Sequence, residues 1–155
     1  MSETSNQLAE LSHLAETLNK ETDTYTEALT QLESKLRKMN LGIEAWVTLD
    51  ETDVSGTPLR GTSMRTMLGY AKTFPDGWGF AVKEVRVERG LYEGDESCPW
   101  ENHYEEDQPK LLLKSSRELR ILAAQRIEYL LNGLRNNANA AIKSLKEART
   151  LAGQV

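Results

Sequence analysis

Few residues of this chain could carry out covalent or metal chemistry, because the sequence contains only two histidines and one cysteine. His13 lies in a helical repeat at a position that faces away from the apolar seam. The remaining candidate ligands lie together in one segment: Cys98, Glu101, His103 and Glu105. Structural zinc sites use four cysteine or histidine ligands, commonly in closely spaced pairs. Cys98 and His103 supply half of such a site, so a metal shared between subunits is a minor alternative and we expect no cofactor.

The sequence also lacks the short patterns of common enzyme sites. It has no glycine-rich loop that ends in Gly-Lys-Ser or Gly-Lys-Thr, no Gly-x-Ser-x-Gly and no His-Glu-x-x-His. Adjacent acids such as Glu105 and Glu106 could act in general acid–base catalysis, but only burial or a close like charge would raise a carboxyl pKa enough. These observations favour a binding protein over an enzyme.

The segment 90–109 is predicted to be a long acidic loop. It shows no hydrophobic periodicity, and its seven acidic residues occur without a lysine or arginine. Loops of about 20 residues in compact proteins usually serve a function or are disordered. Aromatic anchors beside carboxylates suit the docking of a basic protein partner. The predicted partner-binding residues are therefore Trp100, Tyr104, Glu101, Glu105 and Glu106.

The N-terminal segment 5–40 has the pattern of a long amphipathic helix. A heptad repeat continues without a break from Leu8 to Met39. Its a positions are Leu8, Ala15, Thr22, Leu29 and Leu36, and its d positions are Leu11, Leu18, Tyr25, Leu32 and Met39. A repeat of this length is typical of a coiled coil, because a single rod cannot bury its own seam.

The middle segment 42–89 is predicted to form strands joined by hairpins. Alternating apolar residues indicate strands at 43–49, 64–73 and 78–89. In the third strand the apolar parity changes between Val82 and Val85, which fits a β-bulge or a strand covered on both faces. We favour the bulge.

The C-terminal part is predicted to contain a short edge strand at 110–114 and a helix at 116–152. Ser115 and Glu118 have the spacing of a capping box, which places the start of the helix. Gly133 and the pair Asn136 and Asn137 weaken the middle of this helix, where a bend is expected.

Charge divides the chain into an acidic first arm and a basic last arm. Residues 1–40 carry a net charge of −3, residues 41–108 carry −8 and residues 109–155 carry +6. Opposite charge favours pairing of the two helices, within a chain or across subunits. The alternative is binding of nucleic acid by the basic helix. The residues of that alternative are Arg117, Arg120, Arg126, Arg135 and Lys143.

The sequence therefore predicts one domain of the α+β class, with paired terminal helices that flank an antiparallel sheet of three to four strands. This order of elements is similar in outline to prefoldin-type chaperone subunits, and the resemblance implies oligomerisation and client-holding helical arms. No apolar run approaches the roughly 20 residues of a membrane span, so we expect a cytoplasmic protein that does not bind membranes. We predict a homo-oligomer, dimeric or larger, that also contacts a protein partner.

Overall fold

The computed structural model describes residues 2–57, 60–91 and 99–154. It confirms the α+β class, because long N- and C-terminal helices flank an antiparallel sheet. The chain divides into two compact units, Met1–Met39 and Asn40–Val155. None of the described helices is both long and apolar enough to cross a lipid bilayer.

The first unit is a single helix, α1, which spans Glu3–Met39. The prediction of a helix at 5–40 is therefore confirmed to within two residues at each end. The hydroxyl of Ser2 accepts a hydrogen bond from the backbone N–H of Ser5, which satisfies one free donor of the first turn. Glu3 in the first turn and Arg37 and Lys38 in the last turn of α1 complement the helix dipole.

The second unit is built on an antiparallel sheet. Its strands are β1 (Ala45–Gly56), β2 (Gly61–Thr73), β3 (Gly77–Leu91), β4 (Pro99–Glu105) and β5 (Lys110–Leu111). The order is β1-β2-β3-β4, and β5 also pairs with β3. The three predicted strands of the middle segment are confirmed as β1, β2 and β3, each longer than the sequence indicates.

The predicted loop at 90–109 is wrong in its central part, because residues 99–105 form β4, and every residue of β4 pairs with a residue of β3. The predicted edge strand at 110–114 is reduced to β5, followed by a 3-10 turn at Leu112–Lys114. In both places the pairing with β3 determines the local structure, and a sequence pattern does not report that pairing.

The predicted C-terminal helix is present but divided into α2 (Arg117–Ala124) and α3 (Ile127–Gly153). Ser116, not Ser115, caps α2, since its hydroxyl accepts a hydrogen bond from the backbone N–H of Leu119 at 3.3 Å. Helix α3 runs without interruption through Gly133 and the two asparagines, and the break in the predicted helix lies at residues 125–126.

One face of the sheet, here called the helix face, packs against α3. An added Cβ on Gly133 would lie 3.7 Å from the Cβ of Ala45, which shows how closely α3 approaches β1. The amide of Asn137 also donates a hydrogen bond to the carbonyl of Glu44 at 2.8 Å. The core contains apolar residues from sheet and helices that are almost fully buried: Leu68, Tyr70, Phe80, Leu112, Ala123, Leu130 and Leu134.

The opposite face of the sheet is here called the charged face. Val85 and Val87 lie on this face and are 4% and 0% exposed. Strands β2 and β3 pair in unbroken register from end to end, so the predicted bulge in β3 is wrong. The parity change instead reflects a strand that is buried on both faces. The irregularities of register lie in β1, between Thr48 and Asp50 and between Asp53 and Ser55.

Candidate interaction site

The predicted partner-binding residues all lie on or beside β4, but the strand separates them. Side chains alternate between the two faces of a strand, so residues of even and odd number in β4 point in opposite directions. Glu101 and Glu105 lie on the charged face, opposite Arg89 and Val85 of β3. The two aromatic residues, Trp100 and Tyr104, lie on the helix face.

The aromatic residues of β4 contact β3 closely. The ring of Trp100 lies against Gly90, where any larger residue would place its Cβ in contact with the indole. Tyr104 lies beneath the guanidinium group of Arg86 at 5.0 Å from the ring centroid, within the range of a cation–π interaction. The side chain of Tyr104 is still 41% exposed, so one surface of the ring is available to a partner.

The carboxylates of the predicted docking segment are paired with cations of the sheet. Lys83 Nζ lies 2.7 Å from Glu105 Oε1, and the same ammonium group lies 4.0 Å from the ring centroid of Trp46. Arg86 Nε lies 3.4 Å from Glu106 Oε1 on the helix face. A basic partner would have to compete with these internal contacts, which reduces the value of β4 as an acidic docking surface.

The charged face carries a connected cluster of polar side chains, here called the charged cluster: Glu51, Ser63, Arg65, Arg89, Glu101 and His103. Arg89 lies at its centre. It donates hydrogen bonds to Glu51 Oε1 at 2.9 Å and Glu101 Oε2 at 3.0 Å, and to the hydroxyl of Ser63 at 3.2 Å. Four strands contribute to the cluster, which therefore connects β1 to β4 across the sheet.

The outer members of the charged cluster complete its hydrogen bonds. Ser63 is 1% exposed and donates to Glu51 Oε1 at 2.9 Å. Arg65 lies 3.2 Å from Glu51 Oε1 and 3.7 Å from Glu101 Oε1. His103 Nε2 lies within hydrogen-bond distance of Glu101 Oε1. Two carboxylates thus face two guanidinium groups, and their charges balance.

These contacts shift the pKa values of the charged cluster in the directions that stabilise its ion pairs. The hydrogen bond from Arg89 lowers the pKa of Glu51, and the reciprocal bond raises the pKa of Arg89. The hydrogen bonds from His103 and then Arg89 lower the pKa of Glu101. A depressed carboxyl pKa is the opposite of what a general acid at neutral pH requires. The charged cluster therefore has the properties of a structural network.

The metal alternative has only one of its two residues in the described structure. Cys98 lies outside the described residues, and His103 is hydrogen-bonded to Glu101. Among residues 2–57, 60–91 and 99–154, no three histidine, cysteine or acidic side chains are grouped closely enough to hold a metal ion.

A cleft of about 530 Å³ lies beside β5 and the start of α2. Its walls carry charges of both signs, including Lys110, Glu84 and Asp107. Lys114 and Asp76, which also line it, form an ion pair at 2.9 Å. None of the predicted site residues that the structure describes lines the cleft, and its balanced charge selects no class of ligand.

The basic residues of the C-terminal helices lie largely at the surface. Arg117, Arg126, Arg135 and Lys143 are exposed, and Arg120 is half-buried. Arg126 lies 5.4 Å from the ring centroid of Tyr129. In the part of the chain that the structure describes, Arg135 and Lys143 make no ion pair, in contrast to the paired cations of the sheet.

Both terminal helices expose large apolar side chains. In α1 the exposed fractions are 62% for Leu8, 58% for Leu11, 53% for Leu14 and 45% for Leu18. In α3 they are 49% for Ile142, 69% for Leu145 and 66% for Leu151. Isolated exposed leucines are common in proteins, but a contiguous apolar stripe marks an interaction surface.

Comparison with known protein families, curated protein sequences and solved structures finds no match to this chain.

Proposed function

We propose that the protein is a non-enzymatic homo-oligomeric scaffold that assembles through its terminal helices. The observation that carries the proposal is the leucine stripe of α1, defined as Leu8, Leu11, Leu14 and Leu18, whose side chains are each about half exposed or more. At about 100° per residue these four leucines lie within an arc of about 120°. Leu8, Leu11 and Leu18 occupy a and d positions of the heptad repeat and Leu14 lies beside them, an arrangement that suits a partner helix.

Transfer of the leucine stripe from water would stabilise an assembly. Complete burial of a leucine side chain contributes about 1.5–3 kcal/mol, and these four side chains are already about half buried. The four together therefore offer roughly 3–6 kcal/mol to each protomer before the cost of association. Association at micromolar concentration requires about 8 kcal/mol after that cost is subtracted, so the partner surface must bury apolar area as well.

The test replaces Leu8, Leu11, Leu14 and Leu18 with glutamine, which has a high helix propensity. We expect the molar mass measured by light scattering to fall to that of one chain, 17.5 kDa. The matched control replaces His13 and Lys20, on the opposite side of α1, with glutamine and should keep the wild-type mass. An unchanged mass in the leucine variant would contradict the proposal.

The proposal includes a contact with a protein partner through β4. Tyr104 is more exposed than Trp100, the other aromatic residue of β4, whereas the neighbouring carboxylates Glu105 and Glu106 are paired with cations of the sheet. We expect Tyr104→Ala to weaken partner capture in a pull-down, with Phe74→Ala as a control because Phe74 is 87% exposed in a different hairpin. Equal capture by both variants and the wild type would remove β4 from the proposal.

The second candidate function is nucleic-acid association through α3, favoured by its exposed cations without ion pairs. Binding that depends on phosphate contacts weakens steeply with salt. If wild-type protein shows no binding to duplex DNA or RNA at low salt, this candidate is removed.

The metal alternative is tested by elemental analysis of purified wild-type protein and a Cys98→Ala variant, and equal metal content in both would contradict it.

A further inference from the structure

The two terminal helices carry rows of opposite charge beside their exposed apolar stripes. In α1 the acidic row consists of Glu3, Glu10 and Glu21. At about 100° per residue these three positions lie within about 20° of one another, next to the leucine stripe. The described structure gives none of them an ion pair, and Lys20 is the sole lysine or arginine among positions 3–34.

The cationic row of α3 consists of Arg135, Lys146 and Arg149. By the same geometry these positions lie within about 60° of one another and extend over about 21 Å of helix. All three are exposed. No ion pair involves them in the described residues, although Arg65, Lys83, Arg86 and Arg89 of the sheet are each paired with a carboxylate. Three neighbouring cations without partners favour an acidic ligand.

Each charged row lies beside exposed apolar residues of its own helix. The leucine stripe of α1 covers about 15 Å. In α3 the exposed residues Leu145, Ala148 and Ala152 lie within about 60° of one another, next to the cationic row, and form a shorter stripe of about 10 Å. The small alanine side chains would allow a second helix to approach closely. Both helices therefore present an apolar stripe beside a row of opposite charge.

We infer that the cationic row of α3 binds the acidic row of α1 from a second copy of the chain, with the two apolar stripes between them. The inference rests on the homo-oligomer proposed above and names its two unlike contact surfaces. A reciprocal contact of this kind is self-complementary, so two copies satisfy both pairs of surfaces. The charges select the partner helix and the apolar residues supply most of the affinity.

The experiment uses two full-length charge-reversal variants. The first carries Glu3→Lys, Glu10→Lys and Glu21→Lys, and the second carries Arg135→Glu, Lys146→Glu and Arg149→Glu. Each variant alone presents like charges at both contacts. We expect self-association, measured by sedimentation, to weaken roughly tenfold or more in each, because the facing rows of both contacts then carry like charges and repel. Circular dichroism checks that both variants keep the wild-type helix content.

Mixing the two variants is the decisive step. In a mixed pair, the now basic row of α1 in the first variant faces the now acidic row of α3 in the second variant. The native acidic row of the second variant faces the native cationic row of the first. Both contacts again join opposite charges, so we expect hetero-association close to wild-type strength. A mixture that associates no better than its components overturns the inference. If the wild type is an oligomer and neither variant weakens it, the inference is also overturned, but the proposed homo-oligomer stands. If the wild type is a monomer, both the inference and the proposed homo-oligomer are contradicted.

The same variants separate this partner from a nucleic acid. A fluorescent 30-base-pair duplex and a single-stranded RNA serve as probes at low and high salt. The inference predicts that the rescue by mixing occurs in protein treated with nuclease. Salt-sensitive probe binding that only the α3 variant loses, together with unchanged self-association in both variants, would assign the cationic row to nucleic acid and overturn the inference.

Discussion

Replacement of Arg89 by methionine removes the central cation of the charged cluster and keeps a side chain of similar length. Arg89 is 21% exposed and donates to Glu51, Ser63 and Glu101 at 2.9–3.2 Å. Methionine still covers neighbouring apolar surface, because its chain is long and flexible. The substitution therefore reports mainly on lost hydrogen bonds and charge.

The expected loss of stability follows from the exposure of the partners. Glu51 and Glu101 are 32% and 41% exposed, so each ion pair is screened by water and contributes about 0.5–1 kcal/mol. The bond to the buried Ser63 contributes about another 1 kcal/mol. We expect Arg89→Met to lower the free energy of unfolding at pH 7 by roughly 2–3 kcal/mol.

This contribution depends on pH in a defined direction. The pKa values of Glu51 and Glu101 are lowered in the folded state, so their ion pairs stabilise the protein fully above the unfolded carboxyl pKa of about 4.3. The stabilisation is lost as the pH falls through the lowered pKa values of the folded state. The difference between wild type and Arg89→Met should therefore shrink below pH 4.

Urea denaturation followed by tryptophan fluorescence, at pH 7 and pH 3 and at one protein concentration, measures both effects. Arg60→Met is the control, because among the described residues Arg60 takes part in the hydrogen bonds of the β1–β2 hairpin through its backbone alone. The reasoning is refuted if Arg89→Met stays within about 0.5 kcal/mol of wild type at pH 7, which is the range of an ordinary surface substitution. A difference that is the same at both pH values also refutes it.

Two further predictions concern packing. Gly90→Ala places a Cβ in contact with the ring of Trp100 and should destabilise the sheet by about 1–3 kcal/mol, whereas Gly153→Ala meets no neighbour and should not. Thermal unfolding of the two variants measures this contrast, which equal melting temperatures would contradict. Leu130→Ala removes a fully buried side chain and should cost about 2–5 kcal/mol, against less than about 1 kcal/mol for Tyr129→Ala, which is 60% exposed. Similar urea midpoints for both would show that α3 does not form the core as described.

The order of the elements was predictable because the sequence patterns are local. The heptads of α1 and the alternation in β1, β2 and β3 each depend on neighbouring residues alone. Strand β4 has no such pattern, since acidic residues and His103 alternate there with Trp100, Asn102 and Tyr104. The residues on each face of β4 include polar side chains, so the sequence resembles that of a loop. Only the pairing with β3 makes the segment a strand.

The charged cluster was not predicted because its members meet only through the register of the sheet. Glu51 and Arg89 are 38 residues apart in the chain. A usable signal was the parity of Val85 and Val87, which places Arg89 on their face of β3. The basic residues of β3 lie beside the acidic strand β4, and those of β2 lie one strand further away, but this arrangement is known only from the topology of the sheet.

The central claim, assembly through the terminal helices, is tested most directly by the molar mass of the wild-type protein in solution. Size-exclusion chromatography with light scattering at micromolar concentration gives this mass without a label. The proposal predicts an integral multiple, two or more, of the chain mass of 17.5 kDa. A mass of 17.5 kDa across that concentration range would contradict it.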